Sequence, residues 1–214
     1  MSDKLLKLFD AFYQAKRVNH YYWMHTDGDE AGGKVSIENL QWIIQTLTGF
    51  VIEKKTVKVK SDFHRAFVER HEEGKVNKIW VMEGEHITWQ RFATVKEMCH
   101  LLVDQTGDHQ PDPCQTIDSL KNGSGLFDDF SVPEADSERL AEIIATELIY
   151  PLEYRKPDRD KVREGASTID QIAELRGVPS KYISLGISDT WIAVCETIWK
   201  SLKDVDPANL NEHL

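Results

Sequence analysis

The run Lys96-Glu97-Met98-Cys99-His100 places a glutamate and a histidine within one helical turn of a lysine. Positions i and i+4 of a helix share a face. Two histidines in that frame bind zinc, and a glutamate between them acts as general base. Here the first position is Lys96, an ammonium at neutral pH that must lose a proton before it can bind a metal. A catalytic zinc takes three protein ligands and a water, so a further ligand has to come from another element. The segment Ser137-Glu138-Arg139-Leu140-Ala141-Glu142-Ile143-Ile144-Ala145 offers one. Its Glu138, Ala141, Glu142 and Ala145 fall on one helical face, where the alanines let a second helix approach closely. The sequence therefore predicts the Lys96 ammonium among Glu97, Glu138 and Glu142, with His100 alongside. A relocated metal set of His100, Asp104 and Glu138 is one alternative. A solvated Lys96 on a surface helix is another.

These side chains need two facing helices and something to hold them. Helical spacing of apolar residues predicts a first helix over 3–20 and a second that Ser36 caps and Gly49 closes, so that N-terminal helices fill 3–49. Period-two alternation in "TVKVKSD", "RAFVERH" and "KIWVME" predicts a small antiparallel sheet within 51–83, with "HEEGKVNK" as a hairpin turn. The motif helix follows over 88–105. Residues 106–134 read as a long loop, and 136–150 as the second site helix, capped by Asp136 or Ser137 and stopped by Pro151. "YRKPDRDKVREG" reads as a charged connector. Two short helices around Gly177, a final amphipathic helix and a tail complete the chain. The loop "HTDGDEAGGK" lacks the calcium-loop pattern and reads as a solvated turn. The fold class is α+β, with the sheet packed on helices and further helices at the C-terminus.

The formal net charge of -10 weighs against broad, non-specific nucleic-acid binding, so nucleic acid is not an expected partner. Cys99, Cys114 and Cys195 form no C-x-x-C pair, which points to a reducing interior. Cys99 is expected to pack in the core, and Cys114 to be an exposed thiol. The N-terminus has no long apolar run, and no stretch is apolar enough to span a membrane. The sequence predicts a cytoplasmic protein with no membrane partner.

Several features match a known pattern in order. They are the strand "KIWVME", the Arg91-Phe92 entry to the motif helix, Lys96-Glu97-Met98-Cys99-His100-Leu101-Leu102, the helix from Glu138 to Pro151, and "IAELRGVPSKYIS". Over about residues 30–190 the chain resembles the ImmA/IrrE family, a zincin-like group of zinc metallopeptidases. The resemblance implies one such domain over 1–190 and a helix and tail over 191–214. It puts position 96 in the place of the first zinc histidine and Glu97 in that of the catalytic base. His100 and Glu138 fall at the metal-ligand positions, and Asp104 at a site often held by another histidine. It makes "KIWVME" an edge strand whose Trp80 flanks a cleft where an extended peptide could add.

Lys96 breaks that pattern. The expectation is a non-catalytic, metallopeptidase-like protein without a cofactor, binding a peptide or protein partner in the control of a mobile element or stress response. One alternative is an active zinc-dependent endopeptidase with an atypical site. Another is a helix-turn-helix regulator built on "STIDQIAELRGVPSKYIS", although its second helix offers Lys181 as its sole basic residue.

Overall fold

The computed structural model describes residues 3–26, 34–58, 65–71, 76–103 and 133–208. Two helices lead: α1 (Asp3–His25) and α2 (Ile37–Thr48). Three strands follow, β1 (Val51–Val57), β2 (Ala66–His71) and β3 (Val76–Met82), and then the motif helix α3 (Ile87–Val103). The remaining described elements are α4 (Pro133–Ile149), α5 (Leu152–Arg163), α6 (Ile169–Arg176), α7 (Ser180–Gly186) and α8 (Asp189–Ser201). The architecture is α+β, and no helix among these residues is long and apolar enough to cross a membrane. Asp104, Cys114, the loop over 106–132, most of the acidic segment after His25 and the turn at 72–75 lie outside the described residues.

Local chemistry accounts for many of the boundaries. Ser36 Oγ accepts the Asn39 amide at the start of α2, and Gly49 closes the helix in the left-handed region at φ 71°. Thr168 and Gln171 form a reciprocal capping box on α6, and Gly177 ends that helix at φ 66°. On α1 the buried face is Ala11, Phe12, Ala15, Val18 and Tyr22, while Leu5 and Leu6 stay exposed. Small residues on that face let α1 pack closely on α4. Lys16 Nζ donates to the carbonyls of Leu202 (2.6 Å) and Val205 (2.5 Å), neutralising the C-terminal end of α8.

The sheet is mixed rather than antiparallel, with order β1-β3-β2. β2 pairs antiparallel with β3, but β1 pairs parallel with it. The chain reverses direction at each connection, as short connections require, yet the third strand inserts between the first two. Alternation within a strand sets which side chains face inward and says nothing about which strand lies next door. "KIWVME" is consequently the central strand, not an edge. Asn77, Ile79 and Val81 point toward the helices, while Lys78 and Trp80 take the opposite face.

Two further expectations change. α4 begins at Pro133, so Asp136 and Ser137 lie inside the helix rather than capping it. The stretch read as a charged connector is helix α5, with Pro157 inside it. Two of its charged residues, Arg155 and Asp158, are buried, while the others face solvent. Arg155 Nη2 meets Glu147 Oε1 at 2.7 Å, and Arg176 grips both Asp158 oxygens at 2.9 and 3.1 Å. Tyr150 donates to Asp158 and Trp199 Nε1 to Glu147, so this network joins α4, α5, α6 and α8.

Candidate functional site

α3 is buried on nearly every side, with Phe92, Val95, Met98, Cys99 and Leu101 all in the core. A helix that is apolar around most of its circumference has to be surrounded, and this one lies against α2, α4, β2 and β3. Its polar residues Lys96, Glu97 and His100 are thereby carried inside, where each needs a partner. α4 meets α3 along a face that includes the fully buried Ala141 and Ala145, and this contact brings its carboxylates within reach.

Lys96 Nζ lies 2.5 Å from Glu138 Oε2 and 3.1 Å from Glu97 Oε1. The side chains of Lys96 and Glu138 are 18% and 23% exposed, so the ion pair is shielded but not sealed. Burial alone would lower the lysine pKa. Glu97 and Glu138 outweigh it, with a smaller contribution from Glu142, and hold the ammonium above the usual lysine range. For Glu138 burial alone would raise the pKa, and Lys96 and His100 hold it below the usual carboxylate range.

His100 Nε2 sits 3.2 Å from the other Glu138 oxygen, and Nδ1 shares a hydrogen bond with Ser137 Oγ at 3.1 Å. A carboxylate only accepts, which favours a proton on Nε2 and leaves Nδ1 to accept from the serine hydroxyl. The backbone carbonyl of His100 also accepts from Arg70 Nη2 of β2 at 3.3 Å. Glu142 takes the Tyr182 hydroxyl at 2.8 Å, and Tyr182 stacks on Phe92 with ring centroids 3.7 Å apart. Burial, then Glu142, pushes the Tyr182 phenol above its usual range.

The structure thus gathers Lys96, Glu97, His100 and Glu138, with Glu142 at the margin. It does not bring Trp80 into this group. That ring lies on the outer face of the sheet, stacked on Phe67 at 6.2 Å, with Nε1 donating to Glu69. Cys99 is buried, and burial and then Glu97 raise its thiol pKa well above the usual range. Ser137 and Tyr182 were not among the expected site residues. A serine directly before Glu138 was the available signal for the first, and Tyr182 gave none. A groove of about 790 Å³ between α1, α5 and α8, lined in part by Trp23, Leu152 and Trp199, contains none of the site residues.

Among the described residues the donor set does not fit zinc. Of the positions the resemblance would use, Lys96 is a protonated ammonium already held by two carboxylates, leaving His100 and Glu138 as ligands. Among the described residues no group of three or more His, Cys, Asp or Glu side chains could hold a metal ion. What the cluster can do is lock α3 to α4 through one fixed positive charge. In the helix pair around Gly177, Lys181 lies over the Tyr182 ring at 5.2 Å and Arg176 is bound to Asp158, so both basic side chains are engaged within the fold. No protein-family model matches the chain, and no curated protein matches it in sequence.

Proposed function

We propose that this chain is a non-catalytic, metallopeptidase-like protein in which the Lys96 ammonium takes the place of the metal, and that it acts by binding a peptide or protein partner. The observation that supports the reading is the position of Lys96 Nζ between Glu97 and Glu138. A divalent ion would acidify a bound water and so give Glu97 a nucleophile to direct. A monovalent ammonium donates hydrogen bonds and acidifies nothing. The grouping of Glu97, His100 and Glu138 survives such a replacement while the hydrolytic step does not. A role in controlling a mobile element or a stress response is what the ImmA/IrrE resemblance adds.

The test is metal analysis of untagged wild type beside Lys96→His. Wild type is expected to hold far less than one zinc per chain, and the histidine variant about one, since a third ligand is restored. Stoichiometric zinc in the wild type, with peptidase activity lost to a chelator, would overturn the proposal. Failure of the variant to bind zinc would remove the alignment of α3 with a zinc-binding helix.

A further inference from the structure

Among the described residues β1 is paired on one side only, with β3, and lies at the rim of the sheet. In a parallel ladder alternate residues turn both main-chain groups toward the neighbour, and the residues between turn theirs outward. Ile52 reveals which set is which. Its N–H donates to Gln45 Oε1 at 2.7 Å, and its carbonyl accepts from Gln41 Nε2 at 2.8 Å. Two glutamines one turn apart on α2 therefore act as a substitute strand for that one residue. By the same alternation Lys54 and Thr56 also turn their N–H and C=O groups outward, and there α2 supplies no partner. Residues 53–56 are all exposed.

The charges around this edge discriminate between occupants. Lys54 has no carboxylate partner among the described residues. Lys55 is 3.0 Å from Glu53, and Lys58 is 3.9 Å from Glu83. A second copy pairing antiparallel about Lys54 or Lys55 would set that lysine against itself, which is unfavourable, and Glu53 would meet Lys55 in the first of these registers alone. A strand carrying carboxylates would meet complementary charge and satisfy the outward main-chain groups at once.

We propose that the outer edge of β1 at Lys54 and Thr56 is an addition site for an extended acidic segment of a partner protein. The site is separate from the Lys96 cluster and does not rest on the metal-replacement reading. Gln41 and Gln45 end the open edge at Ile52, so they set where an added strand can start.

The experiment uses the full chain, isotopically labelled, with amide hydrogen exchange read residue by residue. The probe is the blocked peptide Glu-Val-Glu-Val-Glu-Val, compared with its Lys-for-Glu counterpart. The acidic peptide is expected to slow exchange at Lys54 and Thr56, to bind more weakly as salt rises, and to outcompete the basic peptide despite the net negative charge of the protein. The exposed double substitution Lys54→Glu with Lys55→Glu should weaken binding about tenfold or more. Thr56→Pro, which deletes one outward N–H, should abolish it. The proposal is overturned by unchanged exchange at both amides, by equal binding of the basic peptide, or by protection along β2 instead. Concentration-dependent protection without peptide would also overturn it, since that assigns the edge to a second copy.

Discussion

Lys96 Nζ lies 2.5 Å from Glu138 Oε2, joining two helices across 42 positions of sequence. The contact closes a group in which Glu97 is 4% exposed and His100 5%, so these two cannot rehydrate without moving a helix, while Lys96 and Glu138 keep partial access to solvent. Taking one partner away should cost more than the pair contributes as a unit.

Lys96→Met should destabilise the fold by about 3 kcal/mol, because Glu97 and Glu138 lose the cation between them and Glu138 keeps only His100. Adding Glu138→Gln to that variant should recover part of the loss. Urea midpoints of the two single variants and the double variant form the cycle that reads the coupling. Strictly additive effects would mean the two side chains do not interact in solution.

The same carboxylate sets an acid limit. Glu138 is held below its usual pKa of 4.5 in the folded state, so the unfolded chain binds that proton more tightly. Its stabilising contribution is complete above that value and is lost as the pH falls below it. Wild type should therefore lose more stability than Glu138→Gln between about pH 6 and about pH 3 by urea denaturation. Lys96 is the mirror case. Its pKa is raised, so its contribution is complete below the usual value of 10.5 and is lost as the pH climbs past it.

Arg155 is fully buried against Glu147, which is 1% exposed. Arg155→Met should cost about 3–5 kcal/mol by stranding that carboxylate, while pairing it with Glu147→Leu should restore much of the loss. Thermal melts of the three variants would check this. A single substitution that melts with the wild type would show that water enters the network.

Gly177→Ala combines two penalties. The residue sits at φ 66°, and a Cβ there would come 2.7 Å from Arg91 Nε. A loss of about 1–2 kcal/mol is expected in denaturant titration. Arg91→Lys should lessen it if the side-chain clash contributes, because a thinner tip can swing aside.

The helices were the most legible part of the fold. Apolar positions at helical spacing and end signals such as Ser36 and Gly49 are local, and local signals survive folding. The approach of Lys96 to Glu138 is readable for the same reason, since small residues and carboxylates share one face of α4. Strand order was not readable. It depends on which strand inserts where, and Val76–Met82 has the same alternation in the middle of a sheet as at its rim.

Helix α5 was hidden because Arg155 and Asp158 are residue types that normally seek water, and Pro157 normally breaks a helix. Only partners distant in sequence, Glu147 and Arg176, reveal that those charges point inward. Ser137 was misread because a short polar residue ahead of an apolar run looks the same whether it caps a helix or binds a histidine within one.

The two glutamines that hold Ile52 carry no charge. Protons and salt act on the Lys96–Glu138 bridge, but an amide-to-backbone clasp is indifferent to both. Acid would thus slacken the seam between α3 and α4 while the corner where α2 meets the sheet stays fastened, giving the molecule one hinge line that titrates and one that does not.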